Sequence, residues 1–330
     1  MSTYDAYTIP VEPGTWDVPA AGATRFSWEY DDGRQRLLDL YQRGKDKQWD
    51  ATKRIEWELP VDPCNIMETP DEFVPIYGSR QWEILNEKER DTLGHHLGAW
   101  LFSQFLHGEQ GAMTVAARIV ESVPDMDSKF YAATQTMDEA RHVELYSRFL
   151  REKVGLYYPM NSDLGKLLAE SLNDSRWDLP YLGMQVLIEG LALAAFGVHR
   201  DMAQNALVKQ LLAYVMQDEA RHVAFGRLAL RDYYRELTAR ERAEREEFVV
   251  EGCYLMRNRF RMRRCGSGWA STWTSAWSSP STRRSSRRSA RCCSAGSCRV
   301  SRTLGCGGRR FSRPTATWAS STRRTPTSRP

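Results

Sequence analysis

The sequence predicts an all-α protein whose centre is a four-helix bundle. Three observations carry this expectation. Apolar residues recur at helical spacing from Asn86 onward, strand patterning is nearly absent, and Asp138-Glu139-Ala140-Arg141-His142 returns unchanged 80 residues later as Asp218-Glu219-Ala220-Arg221-His222. At 330 residues the chain is long enough to bury a substantial core.

Residues 1–85 are rich in Pro, Trp and acidic side chains and are expected to form an arm packing on the bundle, with one helix from Asp31 to about Lys45. Residues 86–263 form the helical domain, opening with Asn86 and Glu89 in capping-box spacing. Its long helices are expected near 92–122, 126–154, 180–203, 205–237 and 240–262, with a shorter one near 162–173. From residue 264 to 330 the composition turns to Ser, Arg, Thr, Trp, Cys and Gly, without apolar periodicity or a single acidic residue. One reading is a disordered basic arm. The preferred one is out-of-frame translation of G/C-rich DNA. Permitted codons for residues 264–273, read one nucleotide earlier, yield Glu-Val-Trp-Glu-Arg-Met-Gly-Leu-Asp-Val, which has ordinary helical patterning. No function is assigned to this segment.

The formal net charge of +4 misleads, because 18 arginines lie beyond Glu251. Residues 1–251 carry 28 basic against 42 acidic side chains, a net charge of −14. An acidic body argues against nucleic acid as a partner, since phosphate binding needs a clustered basic surface. The start lacks a basic stretch followed by an apolar one, so a cytoplasmic location is expected. Cys64 and Cys253, far apart in the chain, are expected to be reduced thiols.

The repeat extends beyond the pentapeptide. Thirty residues before each repeated glutamate stands another, Glu109 in LHGEQGAM and Glu189 in VLIEGLAL. Each half thus supplies a helix with a lone Glu, then a helix with Glu-x-x-His. Residues i and i+3 share a helix face, so Glu139 with His142, and Glu219 with His222, aim a carboxylate and an imidazole at one point. Four glutamates and two histidines entering one core make a two-metal site, and two divalent cations balance four carboxylates that would be costly there alone. Carboxylate and imidazole donors suit iron or manganese. Glu189 sits in a stretch apolar enough to suggest a membrane span, where an unpaired charge is expensive; a ligand role removes the conflict without invoking a membrane. Ligating histidines usually donate their other N–H to a carboxylate, so Asp138 is expected to hold His222, and Asp218 to hold His142, with Arg141 and Arg221 bracing the aspartates. His95, His96, His107 and His199 have no such partners and are read as ordinary.

The paired Glu and Asp-Glu-x-Arg-His motifs resemble the ferritin-like di-iron carboxylate superfamily, over roughly residues 86–262. The nearest branch holds the ribonucleotide reductase small subunit, monooxygenase hydroxylases and acyl-carrier-protein desaturases. The resemblance implies a ferritin-like bundle, two iron ions or a Mn/Fe pair held by Glu109, Glu139, His142, Glu189, Glu219 and His222, and reduction of oxygen. The reductase small subunit commonly has Asp where this chain has Glu109, yet Tyr146 stands where that family places its radical tyrosine. Hydroxylases carry Thr at the position of Leu193, arylamine N-oxygenases an extra His at that of Val215, and rubrerythrin-like proteins a Glu at that of Ala192. The expected function is an oxygen-activating oxidase or oxygenase acting on a small or medium apolar organic substrate, with Phe102, Phe105, Met113, Val186 and Leu193 as candidate pocket residues. An electron-donor protein and a homodimer are expected. The alternatives are a ferroxidase or iron-handling protein, and a radical-housing subunit of a larger enzyme.

Overall fold

The computed structural model describes residues 18–259, apart from residues 20, 29, 31 and 32. The segment 264–330, with its out-of-frame reading, lies outside the described residues, as do residues 1–17. Among the described residues there is no strand, and the helices follow the order α1 Gln35–Asp46, α2 Glu87–Ser122, α3 Met126–Phe149, α4 Ser162–Asn173, α5 Asp178–Met202, α6 Ala206–Glu236 and α7 Ala239–Arg259. Short helical turns at Ala51–Arg54, Pro63–Asn65, Asp71–Phe73 and Arg80–Ile84 lie between α1 and α2.

The helix starts follow capping chemistry. Asn86 and Glu89 form the expected reciprocal box at the head of α2, while Asp125, Asn161 and Asn205 accept the free N–H groups that open α3, α4 and α6. Helix α1 begins later than its periodicity suggests, at Gln35, and Arg34 makes no side-chain cap. The backbone N–H groups of Gly33 and Arg34 donate instead to Asp127, in the first turn of α3, at 3.2 and 2.6 Å. A long-range partner decides that boundary.

Helices α2, α3, α5 and α6 form the ferritin-like bundle, with α1 packed across α3 and α6, and α7 against α4. Helix α5 is long and apolar enough to cross a membrane, but it is the bundle's central helix, and 61% of its most apolar window is buried. It is also irregular. After Pro180, which stands in the first turn where its missing N–H costs nothing, residues Leu182–Ile188 widen into π-helical turns that end at Glu189. Helix α3 likewise ends in π-turns over Leu150–Val154, closed by Gly155 at φ 70°.

The apolar core divides in two. One cluster gathers Leu37, Val115, Tyr131, Tyr181 and Phe225; the other gathers Phe102, Tyr146, Phe149, Phe196 and Leu211. Along α2, α3 and α6 the boundary between them falls around a glutamate, and along α5 it falls just past Glu189, after Leu191. The base of α7 is fixed by a buried pair in which Arg245 donates to both Asp178 oxygens at 3.0 and 2.9 Å, joined by the Tyr234 hydroxyl at 3.2 Å.

The arm lies against α2 because two glycines allow it. A Cβ at Gly94 would collide with the Cys64 carbonyl oxygen, and one at Gly98 would stand 2.5 Å from Ile66. Gly94→Ala is therefore expected to cost about 1–3 kcal/mol by overpacking. Gly190→Ala, where an added Cβ meets nothing within 4 Å, is expected to stabilise its helix by about 0.5–1 kcal/mol. Urea unfolding of both variants checks the opposite signs.

Candidate metal centre

The bundle brings all six predicted residues to one place. Glu109 from α2, Glu139 and His142 from α3, Glu189 from α5, and Glu219 and His222 from α6 are each 5% exposed or less. Their donor atoms fall into two overlapping groups, each within 4.8 Å: Glu109, Glu139, His142 and Glu219, and Glu139, Glu189, Glu219 and His222. Glu139 and Glu219 belong to both. The 80-residue repeat thus becomes an approximate two-fold arrangement around a shared pair of carboxylates.

Both imidazoles turn Nδ1 inward. His142 Nδ1 lies 3.3 Å from Glu109, 3.2 Å from Glu139 and 3.3 Å from Glu219. His222 Nδ1 lies 3.0 Å from Glu139 and 3.6 Å from Glu219 without hydrogen-bond geometry. The outward nitrogens meet the opposite repeat, His142 Nε2 at 3.1 Å from Asp218 and His222 Nε2 at 3.2 Å from Asp138. An aspartate at Nε2 favours a proton there, so that the neutral imidazole, once a metal displaces the second proton, would turn its Nδ1 lone pair to the centre.

The aspartates are themselves held from both sides. Arg141 donates to Asp138 at 2.6 Å and to Asp218 at 3.1 Å, while Arg221 donates to Asp218 and reaches Asp138 at 3.5 Å. Burial disfavours the Asp218 anion, but His142 and the arginine outweigh it and hold its carboxyl well below the usual carboxylate range. Two arm residues escaped the sequence reading: Gln48 donates to Asp138 and the Trp49 indole N–H to Asp218, both at 2.8 Å. They sit in the link after α1, where no local pattern marks them. Gln135 and Gln185 were missed too, although a buried Gln one turn before Glu139 was a detectable signal.

The remaining candidates fall as follows. Tyr146 is fully buried between Phe102, Phe105 and Phe196, and its hydroxyl has no hydrogen-bond partner. Burial, then the nearby Glu109 carboxylate, push its phenol well above the ordinary value. A cavity reaches Glu109, Glu189 and Glu219, lined also by Phe105, Phe196 and Arg259 of α7. Of the five expected pocket residues only Phe105 lines it. Phe102 packs into the aromatic cluster and Val186 into the other half of the core. Met113 and Leu193 are half-buried away from the cavity. Counting helical turns back from Glu189 fails because the π-turns rotate the preceding side chains, and Ile188 takes the place Val186 was expected to fill. His95 and His107 bond to the carbonyls of Val154 and Tyr158, and His96 to the Tyr158 hydroxyl, all outside the centre.

The donor set fits two metal ions. Buried Glu189 Oε2, both Glu219 carboxylate oxygens and His222 Nδ1 have no hydrogen-bond partner, and all belong to the two groups of donors. Left uncompensated, such atoms cost about 1–3 kcal/mol each, more when charged. A ferritin-like bundle that converges carboxylates and imidazoles on two adjacent points defines a di-metal carboxylate protein. The profile of the p-aminobenzoate N-oxygenase AurF family matches residues 30–290, more than half of the chain, and the chain belongs to that family. It is an oxygen-activating oxidoreductase whose buried carboxylate–imidazole cluster suits a di-metal cofactor. Val215 therefore stands inside an N-oxygenase family at a position where the resemblance implied histidine.

Solved structures agree on the fold. A point mutant of an R2-like ligand-binding oxidase with an anaerobically reconstituted Mn/Fe cofactor superposes with a TM-score of 0.52 at 15% identity, covering 83% of this chain and 98% of that one. A second mutant of an R2-like ligand-binding oxidase, with a non-activated Mn/Mn cofactor, gives 0.56 at 14%, covering 84% and 100%. No curated protein matches the sequence.

The protonation of the metal-free centre makes a prediction. Burial pushes the Glu109 and Glu189 carboxyls well above their ordinary value. Burial opposes charge on His142 and His222, but the surrounding carboxylates outweigh it and hold both imidazoles protonated well above theirs. A metal needs the carboxylates ionised and the imidazoles neutral, so binding expels protons and affinity rises with pH through the neutral range. Calorimetric Fe(II) titrations in buffers of different ionisation enthalpy should show net proton release; a buffer-independent heat would contradict this.

Proposed function

We propose that the chain N-oxygenates the amine of an aromatic carboxylate, of which p-aminobenzoate is the reference case. Glu109 and His142 would hold one iron ion and Glu189 and His222 the other, with Glu139 and Glu219 within reach of both. The observation that carries the substrate class is the charge of Arg259. Two divalent cations balance the four glutamates, and Arg141 and Arg221 balance Asp138 and Asp218. Among the described residues Arg259 has no carboxylate paired with it at salt-bridge distance. It is 8% exposed and has one hydrogen bond among the described residues, to the Gln104 carbonyl. Burial lowers its guanidinium to about 10, against the pull of Glu109. A buried guanidinium lining the cavity calls for an anion, and a carboxylate matches its planar fork.

When bound, the two metals supply electrons to dioxygen. The chain's own residues do the rest: Arg259 orients the carboxylate, Phe105 and Phe196, packed edge to face on each other at 4.8 Å, together offer an aromatic wall for the ring, and the apolar lining excludes water. Conversion of the amine to a hydroxylamine takes one dioxygen, two electrons and two protons, and yields one water. A protein electron donor, a homodimer and a cytoplasmic setting complete the proposal. Tyr146 favours a second reading, a radical-housing subunit, because its unpartnered hydroxyl lies beside Glu109.

Elemental analysis of purified wild-type protein is expected to find about two irons per chain, lost in Glu139→Ala and Glu219→Ala. Folded protein without specific metal would sink the proposal. With reductant and oxygen, p-aminobenzoate should give hydroxylamine or more oxidised products. Arg259→Leu is expected to raise KM for it by about 10- to 100-fold, the worth of one charged hydrogen bond, while leaving aniline unchanged. Tyr146→Phe should keep this activity; a tyrosyl radical signal that the variant abolishes, without any amine oxidation, would favour the second reading.

A further inference from the structure

The repeat that builds the centre breaks its symmetry one turn before the paired glutamates Glu139 and Glu219. One turn before Glu139 stands Gln135; 80 residues on, one turn before Glu219, stands Val215. Both are fully buried. Val215 packs in the apolar cluster of Phe102 and Phe149. Gln135 instead turns its amide into the centre, where Nε2 donates to Glu189 Oε1 at 2.7 Å and to Glu139 Oε1 at 3.2 Å.

Both bonds fall on the same metal position. Glu139 Oε1 is the oxygen 3.0 Å from His222 Nδ1, whereas Oε2 is the one 3.2 Å from His142 Nδ1. Glu189 belongs to the His222 group alone. The amide is itself held, since Gln185 Nε2 donates to Gln135 Oε1 at 3.3 Å. Gln185 comes from the π-helical segment and lies against Gly226, where an added Cβ would stand 2.5 Å from its own Cβ. Among the described residues the other position has no such brace: Glu109 is hydrogen-bonded by His142 Nδ1 alone, at 3.3 Å, an atom that must turn its lone pair to a metal.

We infer that Gln135, set by Gln185, is a positioning residue that makes the two metal positions unequal: the Glu189–His222 position binds its ion more tightly and fills first. Ordering a buried Glu costs rotamer freedom, and the amide holds Glu189 in one conformation before metal arrives. It also occupies Oε1, so Glu189 offers Oε2 as its free oxygen. Glu109 must be ordered by the metal itself and keeps both oxygens free to change coordination. The inference rests on the proposed ligand assignment.

The test is anaerobic titration of metal-free protein with Mn(II), following free Mn(II) by its EPR signal. Wild type is expected to bind two ions in two steps whose dissociation constants differ by about 10- to 100-fold, the usual effect of a partner to a ligand. Glu109→Gln should remove the weak step and Glu189→Gln the tight one. Gln135→Leu should weaken the tight step alone, leaving two ions bound per chain, and Gln185→Leu should do so more mildly. A general folding defect would weaken both steps, and helicity by circular dichroism checks for it. Two equal steps in wild type, or a tight step untouched by both glutamine variants, would overturn the inference while leaving the di-metal assignment intact. No Mn(II) or Fe(II) bound at all would overturn both.

Discussion

Four carboxylates buried in the middle of an apolar bundle set the terms for everything around them. Each of Glu109, Glu139, Glu189 and Glu219 lies at the seam between two apolar clusters, cut off from water. An isolated buried carboxylate resists its charge, and burial pushes the carboxyls of Glu109 and Glu189 well above their ordinary value. Two divalent cations answer the same need without protons. The helices therefore hold together around a polar layer whose neutrality is supplied from outside the chain.

The layer is also stiff. His142 and His222 are clamped crosswise by the aspartates of the opposite repeat, and Arg141 and Arg221 tie the two aspartates together. Gln48 and Trp49 then seal that end with neutral donors. Removing any one member leaves a buried charge short of a partner, which is worse than never having built the pair. The opposite end is different in kind. There the cavity has aromatic walls and one guanidinium, so the centre is locked on its histidine side and accessible on its glutamate side. This polarity fits a centre that keeps its metals fixed while a substrate enters from the other face.

Much of this was legible in the residue order. The 80-residue repeat named the six side chains that converge, and the i, i+3 spacing gave each Glu–His pair a common face. The crosswise clamps followed from one rule about ligating histidines. Helix boundaries came within a few residues wherever a cap was local, as at Asn86. They slipped at α1, whose start depends on Asp127 far along the chain.

What the sequence determined by itself was the chemistry and its periodicity: a helical bundle, its repeat, and the donors it would bring inward, because those depend on helix geometry within one segment. Tertiary structure alone decided which side chains complete the centre. The arm's Gln48 and Trp49, the amide of Gln135 on one metal position, and Arg259 in the cavity lining all act across elements distant in sequence. The π-turns before Glu189 made the difference sharpest, since one widened segment rotated Val186 out of the pocket and brought Gln185 to Gln135. Spacing along a chain predicts a face only while the helix stays regular.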